Sequence, residues 1–217
     1  MMLPLTASRL IKLYDIPTQR AVIWQPHLEA AMIRFDIVTL ARAAAFLAQI
    51  GHESGGLRYI KEIWKNTPAQ QSYEMATRLG NTEPGDGERF MGRGPPQITG
   101  RRNYTLLSAA LGVDFVSQPH LLERVDYGAL SAGWFWKYGA GLNLGRAARA
   151  ALEKHGMGDG VNLNDLADRG DFEAITYCIN GGLNGQDHRI DLHKRALDVL
   201  GVTPSHEGDP IRWEESP

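Results

Sequence analysis

The chain has 217 residues with 23 basic and 25 acidic side chains, enough polypeptide for one large domain or two small lobes to bury a core without covalent staples. Its single cysteine, Cys178, has no partner for an internal bridge and reads as a buried reduced thiol, in keeping with synthesis in a reducing cytoplasm. Residues 203–217 set Glu207, Asp209, Glu214 and Glu215 against Arg212 alone, a net −3 that leaves the rest of the chain near +1 and excludes the strong basic field that nucleic-acid binding needs.

Arg9, Lys12 and Asp15 interrupt the N-terminal region before any apolar run long enough for a secretory signal, so the expectation is a protein made in the cytoplasm without a signal peptide. The longest apolar run, residues 43–48, is far short of the roughly 18 to 20 residues of a membrane span, and no membrane insertion is expected. Along the chain, Leu10, Leu13 and Tyr14 predict a first helix behind Thr6 or Ser8 as cap. Pro26, placed in a first helical turn, and Leu28, Ala31, Met32 and Phe35 predict a second.

From Ile37, apolar residues on most faces predict a helix buried within a lobe and ending at Gly55 and Gly56, with Glu53 in or beside its last turn. The glycine and proline density of residues 80–100 predicts a loop. Further helices are expected near 102–111, 126–138, 145–155, 171–179 and 187–200, and strand signals are weak throughout. Residues 142–144 resemble 163–166 across a glycine-rich stretch, so residues 143–162 read as an insertion. The expected organisation is a single catalytic domain over 1–202, built as two helical lobes, and a flexible acidic tail over 203–217.

His52-Glu53 lacks the second histidine that a zinc protease carries one turn later, where Gly56 stands, and the other histidines are scattered, so no metal is expected. The phosphate-loop lysine and the serine-hydrolase elbow are missing too, which leaves carboxylates and no cofactor. Glycoside hydrolysis needs one protonated carboxyl and one ionised carboxylate. On an unbroken helix, Glu53 and Glu62 would be about 13 Å apart and on opposite faces. The break at Gly55-Gly56 lets the chain fold back and bring the two across a cleft. An apolar helix would keep Glu53 protonated, while Lys61 and Lys65 would keep Glu62 ionised.

Residues 52–56, 90–99 with Asn103-Tyr104, and 179–182 resemble glycoside hydrolase family 19. The run from Ala45 to Gly56 is similar to the short, disulfide-free phage endolysins and related lysozyme-like enzymes of that family. The resemblance implies a mainly α, lysozyme-like, two-lobed fold with a central cleft, and an inverting mechanism with carboxyl groups roughly 6.5 to 9.5 Å apart. By motif it assigns Glu53 as general acid, Glu62 as general base and Thr99 as the hydroxyl that helps hold the attacking water. It implies substrate contact for Gln97, Asn103, Tyr104, Asn180 and Arg189, with His52 structural and Arg93 tying the loop to the catalytic carboxylates.

Glu74 competes for the base because plant-type members space their second glutamate further along. The implied substrate and partner is peptidoglycan, cut by an endolysin that reaches the periplasm after a separate factor breaches the membrane, with a monomer as the default. A chitinase acting on N-acetylglucosamine polymers, a lytic transglycosylase and a silent glycan-binding module are the alternatives.

Overall fold

The computed structural model describes residues 4–140, 145–154 and 160–201, and it is mainly α-helical. Helix α1 (Ala7–Tyr14) starts where the Thr6 hydroxyl accepts from the Arg9 N–H. Helix α2 (Thr18–Arg34) begins well before Pro26, so the expected start is corrected. Pro26 and Val22, whose carbonyl loses its intrahelical donor, both lie on the exposed face, where that carbonyl is open to solvent.

Helix α3 (Leu40–Ser54) is capped by Thr39 and buries every residue from Ala43 to Gly51. Phe46 and Leu47 are fully buried, each contributing about 1.5–3 kcal/mol of transfer free energy. Gly51 permits a close crossing: a Cβ there would stand 2.3 Å from the Tyr14 ring, whose hydroxyl donates to the Leu47 carbonyl at 2.6 Å.

The chain continues through the one-turn helices α4 (Pro68–Gln71) and α5 (Asp86–Arg89), separated by a 3-10 turn at Thr77–Leu79. Next come α6 (Arg101–Leu111), a 3-10 turn at Pro119–Glu123, and α7 (Val125–Trp134), which runs on as a π-helical turn over Phe135–Gly139. Helices α8 (Arg146–Lys154), α9 (Leu163–Asp168), α10 (Phe172–Asn180) and α11 (Gln186–Val199) complete the described part. Apart from the start of α2, the longer helices fall within a few residues of expectation. The one-turn helices and α9 were not expected, because four to six residues leave no periodicity to read.

The most extensive contact joins α11 to α3, while α2 packs on α7 and α1, and α9 and α10 close the same body. Helices α4, α5 and α6 with the Thr77–Leu79 turn form a second, smaller group. One buried core nevertheless runs from Leu5 to Leu200 and includes Phe90, Tyr104 and Leu107 of the smaller group. Residues 142–144 and the acidic tail, 203–217, lie outside the described residues, as does part of the expected insertion at 143–162. Among the described residues, no helix is long and apolar enough to cross a membrane.

Candidate active site

The glutamate at the end of α3 is placed by the way that helix stops. Gly55 adopts φ 56°, the left-handed conformation that glycine tolerates best. The N–H of Gly56 returns to the Gly51 carbonyl at 2.8 Å and that of Gly55 to the His52 carbonyl at 3.3 Å, which closes the last turn around Glu53. The Glu53 side chain, 23 % exposed, lines a narrow hollow with Phe46, Ile50, Pro96, Phe135 and Ile179. Its setting is not purely apolar, which corrects the expectation: Arg189 of α11 donates to Glu53 Oε1 at 2.5 Å.

Arg189 is itself 1 % exposed and also donates to Gln49 Oε1 and to the Asn184 carbonyl at 3.3 Å. A guanidinium so enclosed cannot meet a sugar, so the expected substrate contact is replaced by a role in fixing Glu53. It pairs with neither Asp187 nor Asp191 in α11, but with a carboxylate on the opposite helix. Behind it, Gln49 donates to Thr176 of α10 at 2.9 Å, so three helices share the anchorage.

After the helix stop, the chain does fold back. Residues 60–62 run beside the glycine-rich loop: Gly94 N–H donates to the Ile60 carbonyl at 2.9 Å and Glu62 N–H to the Gly92 carbonyl at 2.8 Å. Isolated antiparallel bridges pair Lys61 with Arg93 and Arg93 with Ile98. The Glu62 carboxylate then accepts from the Gly92 N–H at Oε2, 3.0 Å, and from the Gln70 amide at Oε1, 3.1 Å. Both oxygens accept, an arrangement suited to an ionised carboxylate. Lys61, expected beside it, pairs instead with Glu123 at 3.1 Å.

Gly92 is the meeting point. A Cβ on it would stand 2.6 Å from Gln97 Oε1 and 3.3 Å from Thr99 Oγ1, so both polar groups lie over the peptide that holds Glu62. Thr99 donates its hydroxyl proton to the Gln97 carbonyl at 2.9 Å. Gln97 takes φ 53° and donates to the Gly94 carbonyl at 3.1 Å, which makes the turn that carries Pro96 to the Glu53 hollow. The loop thus has Glu62 against one end and Glu53 against its middle.

The other predicted residues divide. Asn103 donates to the Thr99 carbonyl at 2.9 Å and lines a recess together with Gln97 and Thr99. Tyr104 is fully buried, accepts from Arg93 at 3.0 Å and donates to the Met91 carbonyl at 2.8 Å; it supports the loop from beneath, and the expected sugar contact is corrected. Burial pushes its hydroxyl up to about 12. Arg93, 6 % exposed, does not tie the loop to a candidate catalytic carboxylate, which corrects the expectation: its carboxylate partner is Glu123 at 2.8 Å. Asn180 ends α10 exposed, with its amide on the Gly182 carbonyl at 3.3 Å.

Glu74 accepts from the N–H groups of Gly85 at 2.6 Å and Gly87 at 3.0 Å, so both oxygens serve the first turn of α5. His52 stands 2.9 Å from His188, Nδ1 to Nδ1, so one ring donates and the other accepts. Burial first, then the charges of Arg189 and His188, hold the His52 imidazole down at about 4. Among the described residues, no cluster of three or more His, Cys, Asp or Glu is placed to hold a metal ion.

Sequence reasoning missed Gln49, Gln70 and His188. Gln70 had a readable signal: Thr67-Pro68-Ala69-Gln70 is a capping box with proline at the helix start, and the structure forms both of its bonds. For Gln49 and His188 no local signal existed, since their partners lie 140 and 136 residues away.

A family model described as chitinase class I, of the family 19 glycoside hydrolases, matches residues 36–210. The chain is 30 % identical over 199 residues to a glycosyl hydrolase family 19 domain-containing protein of Haemophilus influenzae, covering 79 % of this chain and 86 % of that protein. It is 30 % identical over 168 residues to an endochitinase of Arabidopsis thaliana, covering 74 % of this chain and 48 % of that protein. It thus spans about half the length of some plant endochitinases that it matches. The crystal structure of a bacterial family 19 chitinase superposes with TM-score 0.66 at 26 % identity, over 94 % of this chain and 98 % of that one. Chitinase C of Streptomyces griseus superposes with TM-score 0.64 at 22 % identity, over 94 % and 79 %, a likeness of fold.

Proposed function

Because the chain belongs to glycoside hydrolase family 19 and shares its mainly helical, lysozyme-like fold, we propose that it hydrolyses the β-1,4 glycan of bacterial cell walls by inversion. Glu53 is the general acid, Glu62 the general base and Thr99 the hydroxyl that orients the water. The observation that supports this most is the gathering of Glu62, Gln97 and Thr99 at Gly92, while Pro96 of the same loop closes the hollow that holds Glu53.

With Arg189 on Oε1, the proton that Glu53 delivers is carried on Oε2 and passes to the leaving glycosidic oxygen. Thr99 has committed its own proton to the Gln97 carbonyl, so its oxygen accepts a hydrogen bond from one O–H of the attacking water, whose proton stays on the water oxygen. Glu62 takes the other as the water oxygen bonds to the anomeric carbon and the glycosidic bond breaks. A water held by two fixed groups has fewer unproductive orientations, which is where the positioning advantage arises. Glu74, with both oxygens on the start of α5, supports Glu62 as the base.

A chitinase is the second reading, favoured by the endochitinases among the relatives. Purified wall sacculi and colloidal chitin, digested in parallel, separate the two. Solubilised sacculi with new muramic acid or glucosamine reducing ends support wall hydrolysis and identify the bond cut. Chito-oligomers released from chitin while sacculi stay intact would replace it with the chitinase reading.

A further inference from the structure

We propose that His188 is a positioning residue for the proton donor: its bond to His52 fixes the end of α3 against the start of α11, and with it the contact between Arg189 and Glu53. The inference rests on Glu53 as the general acid, and it holds for whichever glycan that acid serves.

Gln49, His52 and Glu53 stand on one face of α3, and Gly185, the N-cap of α11, with His188 and Arg189 repeats the same spacing on the facing helix. The two rows meet. Arg189 donates to Gln49 and to Glu53, while His52 Nδ1 lies 2.9 Å from His188 Nδ1. A Cβ on Gly185 would stand 2.3 Å from the His52 ring, so the missing side chain lets the start of α11 close over that imidazole. Each histidine directly precedes one member of the Glu53–Arg189 pair, and the bond between the rings runs beside the ion pair.

This bond has a chemical condition. Two Nδ1 atoms form a hydrogen bond only where one ring carries its proton there and the other presents a lone pair, so two neutral rings hold opposite tautomers. Burial first, then the charges of Arg189 and His188, hold His52 down at about 4, and the neutral ring adds no further cation beside Glu53. His188 itself is exposed, so replacing it opens no cavity in the core, and what is lost is the bond. The Arg189 fork reaches Glu53, Gln49 and the Asn184 carbonyl together, which leaves little room for the two helices to slide. A displacement of about 1 Å at a reacting group costs up to about a hundredfold in rate.

The test compares His188→Leu with His188→Asn, whose amide stands where Nδ1 stood, each in the wild-type and in the Arg189→Lys background. The assay is the release of reducing ends from sacculi or chitin, whichever the wild type cuts, beside thermal melts. His188→Leu is expected to lower kcat about tenfold with KM within about twofold, and His188→Asn to restore most of that loss. With the fork already removed by Arg189→Lys, His188→Leu is expected to cost less than about a further twofold. At about pH 8, where an ordinary imidazole is neutral, nitrogen NMR of histidine-labelled protein is expected to show one ring of the pair protonated on Nδ1 and the other on Nε2, both signals changing in His188→Leu.

If His188→Leu melts early, His188→Ala takes its place in the same comparison. Undiminished kcat in the folded variant, an equal loss in His188→Asn, a full further loss in the Arg189→Lys background, or two rings both protonated on Nε2 overturns the inference and leaves Glu53 as the acid. A fully active Glu53→Gln would instead overturn the assignment of the acid, and this inference with it.

Discussion

Replacing Gly92 by alanine tests whether the cluster at that residue is the reaction centre. Gly92 does not have a positive φ, so alanine brings no backbone strain, and its only consequence is a methyl group placed against Gln97 and Thr99. The methyl would stand 2.6 Å from Gln97 Oε1, whereas ordinary contact begins at 3.4 Å, so the amide must retreat by about 0.8 Å and the Thr99 hydroxyl, at 3.3 Å, by less. A flexible amide end yields at small cost, and the fold is expected to lose no more than about 1–3 kcal/mol. Catalysis is less tolerant: a displacement near 1 Å of a positioning group costs up to about a hundredfold, and a fall in kcat of tenfold to a hundredfold is expected. The assay is the release of reducing ends from sacculi, beside thermal melts of G92A and of a G145A control, where a Cβ meets nothing within 4 Å. Full activity in a folded G92A would refute the placing of Gln97 and Thr99 at the reacting water.

Exchanging Arg189 for lysine keeps the charge but removes the fork that reaches Glu53, Gln49 and the Asn184 carbonyl together; urea melts are expected to show a loss of about 2 kcal/mol, and kinetics a fall in kcat greater than any rise in KM. Burial holds the His193 imidazole, stacked 4.4 Å from Phe172, down at about 4 against an ordinary 6.5. As pH falls through that window the unfolded chain binds the proton first, so stability present above pH 6.5 is lost toward pH 4, by about 2 kcal/mol at pH 5. His193→Phe is expected to flatten this part of the stability profile, and an unchanged profile would contradict the assignment. Glu74→Gln keeps one acceptor for the start of α5 and is expected to lower stability by about 1 kcal/mol in thermal melts.

Local signals in the sequence were the reliable ones. Helix α3, its Thr39 cap and its glycine stop are all encoded within residues 39–56, and with them the place of Glu53. The fold-back of Glu62 followed from the same glycines. Partnerships across the chain were not legible: Glu53 meets Arg189 from 136 residues away, and that contact turns a residue expected to bind sugar into a buried support. Lys61, beside Glu62 in sequence, points elsewhere, because extended backbone sends neighbouring side chains to opposite faces, and it finds Glu123. Tyr104 misled in the same way, since its motif position says nothing about which side of α6 faces the cleft, and that side turned out to be core. Pro26 shows the opposite limit, a helix-start signal overridden because the exposed face of α2 tolerates the missing bond.

The most direct test of the two-glutamate account is the clearing of permeabilised Gram-negative cells by the wild type and by Glu53→Gln, Glu62→Gln and Glu74→Gln, each verified as folded by its thermal melt. The account predicts clearing by the wild type and by Glu74→Gln, with rates at least about a hundredfold lower for the Glu53 and Glu62 variants. A fully active Glu62→Gln beside an inert Glu74→Gln would contradict it and move the base to the far end of the loop.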